Sequence, residues 1–141
     1  MLNQTAADEY TLALKRGQKE LRELAQEGKT THPAVLDDLL PEVSGLSVRD
    51  LGLVEIPAEQ IVGTKSAGRI FAFTPGFLPL LDADSEFASK WVNLCMAHMS
   101  DEGIRDPIVC YEYLGNFYVQ EGNKRVSVLR YFESPRILGI V

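Results

Sequence analysis

Cysteine is scarce in this chain. Its 141 residues include two, Cys95 and Cys110, far too few for a disulfide-stapled miniprotein. Long hydrophobic runs are missing as well. No apolar stretch reaches the ~18 residues that a membrane span needs, and the opening MLNQTAADEY has neither the basic n-region nor the apolar h-region of a secretory signal. The expectation is a cytoplasmic protein with reduced thiols and no membrane partner, in which both cysteines are small core residues. Basic residues are in deficit: 14 Lys and Arg stand against 20 Asp and Glu, for a net charge of −6. That balance argues against holding DNA by phosphate neutralisation, which calls for a basic surface. The deficit is spread evenly, with −3 carried by residues 1–50 and −3 by residues 51–141. Neither a Gly-x-Ser-x-Gly motif nor a Walker-type phosphate loop occurs, and no acids are paired at a telling spacing. Cys95 and His98 stand three apart, as in some metal sites, but a structural zinc site takes four ligands and no second Cys/His pair exists. Core packing is the expected role of both.

What is present is the material of one ordinary globular domain, with 45% hydrophobic and 24% charged residues. From Thr5 to about Glu27 the apolar positions Tyr10, Leu14, Leu21, Leu24 and Ala25 fall at helical spacing with charges between them, and Gly28 ends the helix. His32-Pro33 opens a short second helix with Val35, Leu36, Leu39 and Leu40 on its apolar face and Pro41 as its stop. His32 itself reads as a surface-loop residue. VSGLSVRDLG is a connector. LVEIPAEQIVG reads as strand, broken at Pro57, which belongs at a strand end or a sheet edge. TKSAGRIFAFTPGFLPLLD reads as a long loop packed down on a core. The set Phe87, Trp91, Leu94, Cys95 and His98 predicts a buried helix face, N-capped by Asp82 or Asp84 and ended by Gly103. PIVCYEY and FYVQE form a hairpin around Leu114-Gly115-Asn116, NKRVSVLRYF returns to helical spacing, and RILGIV closes the chain as a strand.

The strand-to-helix junction EGNKR is where the chemistry concentrates. A glycine there lets backbone approach a ligand, and the first N–H groups of the following helix, with the positive end of its dipole behind them, suit an anion. Lys124 and Arg125 in the first turn are unfavourable with that dipole, which a bound phosphate would offset. The structural alternative makes Gly122 a plain turn and pairs the two cations with Glu121, Glu112 or solvent. Glu121 suits Mg²⁺ beside a phosphate, a general base, or an ion pair with Arg125. Asn123 is expected to cap the helix through its side-chain oxygen, its amide being able to touch a ligand.

In order and spacing, IPAEQIVG, the helix FASKWVNLCMAHMSDEG, the run IRDPIVCYEYLGNFYVQEGNKRVSVLRYF and the closing ILGIV resemble the N-terminal domain of ParB proteins. The resemblance spans residues 52–141 and implies an α+β, ParB/sulfiredoxin-like fold, a small mixed sheet with helices, as a domain at 51–141 behind an N-terminal helical extension at 1–50. Gly122 and Arg125 match the ends of that family's G-E-R-R box, with Asn123 and Lys124 at its two middle positions. Asn123 stands where sulfiredoxin has its reactive cysteine, so sulfinic acid reduction is not implied. Arg69 is matched to the arginine of the family's Q-P-R segment.

The resemblance implies a nucleotide- or phosphate-binding domain that takes a nucleotide with Mg²⁺, with hydrolysis or phosphoryl transfer as its chemistry. Lys124 and Arg125 would then clamp phosphate and Glu121 would hold metal or take a proton. A second reading is a non-catalytic ligand-sensing or protein-interaction module whose N-terminal helices dock a partner or a second copy. A third is a DNA-binding or nuclease domain, against which the charge balance speaks.

Overall fold

Small residues decide how the first helix docks. In the computed structural model, which describes residues 2–40 and 48–141, α1 (Leu2–Gln26) sets Ala6, Tyr10, Ala13 and Gly17 along one stripe, all four of them buried. A Cβ on Gly17 would lie 2.3 Å from the Pro79 carbonyl oxygen, so the helix sits against the 74–79 loop at a distance only glycine permits. Glu20 fastens the same loop from the next turn, its carboxylate accepting from Thr74 Oγ1 at 2.6 Å and from the Gly76 N–H at 3.3 Å. Leu14, Leu21 and Leu24 are half-buried, and Ala25, expected on the apolar face, is exposed. It lies in the last turn, beyond the part of α1 that meets the core.

Six strands form one mixed sheet: β1 (Ala34–Val35), β2 (Leu53–Pro57), β3 (Ile61–Thr64), β4 (Ile108–Tyr113), β5 (Asn116–Glu121) and β6 (Arg136–Ile140), in the order β1-β3-β5-β4-β6-β2. β1, β3 and β5 run parallel; β4 is antiparallel to β5 and parallel to β6, and β2 is antiparallel to β6. The other helices are the single turn α2 (Leu36–Leu39), α3 (Glu86–Met99) and α4 (Asn123–Tyr131). The fold is therefore α+β. Inward residues Ile56, Ile61, Ile108, Cys110, Val119 and Ile137 of the sheet share one core with Ala6, Tyr10, Trp91, Cys95, Val126 and Val128 of the helices. Residues 1–50 thus contribute α1 to the core of the sheet domain. Trp91, fully buried, receives Tyr10 and Tyr131 edge-on at 5.2 and 5.7 Å, contacts worth about 0.5–1.5 kcal/mol each beyond their burial.

Several local expectations need correction. The segment after His32 is not a helix from its start: Ala34 and Val35 pair in parallel with Gly63 and Thr64, the bare Gly63 admitting the Ala34 carbonyl, which a Cβ there would meet at 2.1 Å, and the β-branched Val35 lying opposite the β-branched Thr64. One helical turn follows; Pro41 and residues 43–47 of the connector lie outside the described residues. His32 lies in a loop, as expected, but is not free in solvent. It is half-buried, with Nδ1 at 3.1 Å from both the Ile70 and the Phe73 carbonyl oxygens, and so secures the 67–73 segment. Part of that segment, Ala67–Ala72, is a 3₁₀ turn. The N-cap of α3 is Ser85, whose Oγ accepts from the Ala88 N–H at 3.0 Å, while Asp82 offers its backbone carbonyl to Ser85; the helix ends at Ser100 ahead of Gly103. Pro57 closes the edge strand β2, as its missing N–H requires. In the hairpin, Leu114 (φ 52°) and Gly115 (φ 86°) make a two-residue turn with both φ positive, so Asn116 already belongs to β5. Among the described residues no helix is long and apolar enough to cross a membrane.

Candidate functional site

The junction between β5 and α4 opens onto a cleft of about 520 Å³ lined by Arg69, Phe73, Phe87, Lys90, Asn93, Leu94 and the run Gln120–Arg125. All six residues singled out in the sequence, Glu121, Gly122, Asn123, Lys124, Arg125 and Arg69, are on its wall. Four elements supply it. β5 and α4 meet at its base, one face of α3 forms the opposite side, and the 3₁₀ turn carries Arg69 to it.

Gly122 makes the junction possible. It is the N-cap of α4 at φ 105° and ψ 25°, a left-handed conformation that other residues adopt only under strain, and a Cβ there would come 2.8 Å from Ile108 Cγ2 and 3.0 Å from Arg125 Nη2. With no side chain at the N-cap, no side-chain hydrogen bond caps the helix. Asn123 does not supply one: it is the first helical residue, one position too late for its oxygen to reach back to the free N–H groups, and its Oδ1 is buried with no hydrogen-bond partner. The expected capping role is therefore overturned.

Arg125 borders the cleft, but its guanidinium is engaged by backbone carbonyls. It is not paired with Glu121 or Glu112; its Nη1 donates to the carbonyl oxygens of Asp106 and Pro107 at 3.1 and 2.8 Å. The guanidinium braces the approach to β4 while its flank borders the cleft. Lys124 is half-buried, with Nζ 5.6 Å from the centre of the Phe87 ring. Loss of hydration, and then the positive charges of Arg69 and Lys90, lower its pKa below the usual lysine value, while Glu86 acts in the opposite sense. Lys90 is also 3.2 Å from Glu86, one turn back on α3.

Sequence reading missed Lys90. Positions 87, 90 and 94 lie on one strip of α3, so a lysine interrupting the strip Phe87–Leu94 was the available signal. In sum the cleft wall carries four cations, Arg69, Lys90, Lys124 and Arg125, and one carboxylate, the exposed Glu121, in a chain whose net charge is −6. Cys95 is buried in the core, and His98 stacks on Phe132 at 4.7 Å. Among the described residues no group of three or more His, Cys, Asp and Glu side chains is placed to hold a metal ion. Compared with protein-family models, with curated proteins and with solved structures, the chain matches none.

Proposed function

We propose that this chain binds a phosphorylated small molecule, a nucleotide in the leading case, at the β5–α4 cleft of a ParB/sulfiredoxin-like domain. The observation that carries the reading is the sign of the cleft: four cations against one carboxylate at the start of a helix, in an acidic protein. Like charges brought together on one wall, where Lys124 and Arg125 are half-buried and Arg69 and Lys90 exposed, oppose one another, and an anion seated among them removes that opposition. The volume of about 520 Å³ lies within the roughly 300–1,000 Å³ usual for organic ligands. Mg²⁺ fits as a companion of the ligand's phosphates, with Glu121 as its single carboxylate from the wall, since Mg²⁺ is commonly held by one or two carboxylates together with phosphate. Hydrolysis or phosphoryl transfer would build on that placement, with Lys124 and Arg69 offsetting charge on the transferred group.

The second reading, a non-catalytic sensing or interaction module, draws on Leu53, Leu138 and Ile140, which are exposed together on one face of β2 and β6. A thermal-shift and calorimetric panel of the four ribonucleoside triphosphates, with and without Mg²⁺, followed by chromatography of the incubated nucleotide, tests both. Ligand at a hundred times its Kd raises stability by about 2.7 kcal/mol. Binding with turnover supports the enzyme, and binding without turnover the sensing module. No binding of any phosphate compound overturns the reading of the cleft.

A further inference from the structure

We propose that His32, which lies outside the cleft, is a positioning residue of the anion site: its Nδ1–H holds the 3₁₀ turn that carries Arg69 to the cleft wall. The inference rests on the anion-binding reading above and adds a control point for that site in the N-terminal part of the chain.

Arg69 stands on a weakly packed turn. It is exposed in the middle of Ala67–Ala72, and Ser66, Ala67 and Gly68, which lead into it, are exposed as well. Ser66 makes no side-chain bond at the N-cap, and a Cβ built on Gly68 would meet nothing within 4 Å. Short 3₁₀ pieces have poor hydrogen-bond geometry, and exposed segments with few packed side chains open readily. The far end of the turn is secured through the backbone, where the Ala72 carbonyl accepts from the Leu80 N–H at 2.9 Å and Phe73 bridges to Pro79. Next to Arg69, His32 is the tie to the rest of the chain. Its Nδ1 lies 3.1 Å from the carbonyl oxygens of both Ile70 and Phe73. Both partners are acceptors, so the shared proton sits on Nδ1.

The ring is half-buried and meets Phe71 edge-on at 4.8 Å, a contact that fixes its plane. His32 therefore brackets residues 70–73, with Arg69 just ahead of one end and Phe73, whose buried ring lines the cleft, at the other. An arginine on a loose turn has to be ordered when an anion binds, and that ordering is subtracted from the affinity. Holding the turn in advance removes the subtraction, so His32 raises anion affinity without touching the anion. The coupling is reciprocal: an anion engaged by Arg69 steadies the turn and with it the contact to His32.

The test is calorimetric titration of the intact protein with pyrophosphate, at a temperature well below the melting point of every variant. His32→Phe keeps an aromatic ring against Phe71 and deletes the donor. His32→Asn restores a donor at the position of Nδ1, whereas His32→Gln places it further out, at the position of Nε2. His32→Phe and His32→Gln are expected to weaken pyrophosphate binding roughly two- to ten-fold, the range for ordering one long side chain, with His32→Asn close to the unaltered protein. A double-mutant cycle supplies the readout that a merely structural role would not move. In an Arg69→Ala background His32→Phe should cost no further affinity, while in a Lys124→Met background it should cost the same factor as before. If His32→Phe does not fold, the Asn and Gln variants carry the comparison in both backgrounds. Equal affinity of these variants and the unaltered protein, or a loss that persists with Arg69→Ala, overturns the inference and leaves the anion-binding reading in place. If pyrophosphate does not bind the unaltered protein, that reading falls and this inference with it.

Discussion

Trp91 Nε1 donates a hydrogen bond to Ser127 Oγ at 2.9 Å, with both residues fully buried. The bond joins α3 to α4, the two helices that face each other across the cleft, and so fixes the spacing of Lys90 relative to Lys124. Ser127→Ala leaves the indole N–H buried without a partner, at a cost of about 1–3 kcal/mol. Urea unfolding of the variant should show that loss, while Trp91→Phe combined with Ser127→Ala should cost less than the sum of the two single changes, since the pair is removed together. Additive losses would mean that the bond does not couple the helices.

Gly122→Ala should destabilise by about 1–3 kcal/mol from backbone conformation alone, with a further loss from contact with the Ile108 and Arg125 side chains. Gly28→Ala is the control: φ is also positive, at 70°, but nothing lies within 4 Å of the added Cβ. The difference between the two midpoints in denaturant therefore isolates the packing component, and equal losses would show that the junction has room for a side chain.

Native Cys95 and Cys110 should resist thiol reagents. Both are buried and unpaired, and burial raises each thiol to about 11, with the carboxylate of Glu9 adding to the effect at Cys95. At pH 8 both are almost wholly protonated in the folded chain, so labelling should follow the unfolding rate and speed up in parallel with added urea. The linkage has a definite sign. The folded thiols hold their protons to higher pH than the unfolded thiols, whose ordinary value is about 8.5, so the unfolded state sheds protons first and stability falls as pH rises from about 8.5 towards 11. A Cys95→Ala, Cys110→Ala double variant should show a shallower decline over that window.

Periodicity alone was enough to read α3, the hairpin, α4 and the closing strand, because each buries large side chains at intervals that only one backbone geometry satisfies. It was a poorer guide where small or polar residues do the packing. Ala6, Ala13 and Gly17 position α1 through what they lack, and hydrophobic pattern registers only what is large. His32 resembles a loop residue until the 67–73 segment folds back across it to present two carbonyls, a contact spanning some 40 residues of chain. In the cleft, EGNKR was visible as a run, and Arg69 entered through resemblance. Lys90 was obscured by the apolar residues on its own helix face. Asn123 was misassigned because the junction glycine takes the capping position, a matter of one residue in register that spacing does not resolve.

Lys124 and Arg125 are neighbours in sequence with opposite expected behaviour. Arg125 donates to the carbonyls of Asp106 and Pro107, so Arg125→Ala removes charge-assisted hydrogen bonds worth about 1.5–3 kcal/mol and strips two backbone acceptors of their partner. Its melting temperature should fall clearly. Lys124 has no such anchor and stands in the field of Arg69 and Lys90, half-buried. Because the folded state holds its proton less firmly than the unfolded state, its charge opposes folding at neutral pH, and that opposition is relieved as pH rises towards the ordinary lysine value. Lys124→Met, which keeps the stem over Phe87 and deletes the charge, should therefore leave the melting temperature unchanged or higher while weakening binding of inorganic pyrophosphate several-fold. Stability gained at the expense of anion affinity is the signature of a charge held in place for a ligand. A Lys124→Met variant that melts lower and binds pyrophosphate as before would instead make Lys124 a structural residue and remove the central cation from the proposed site.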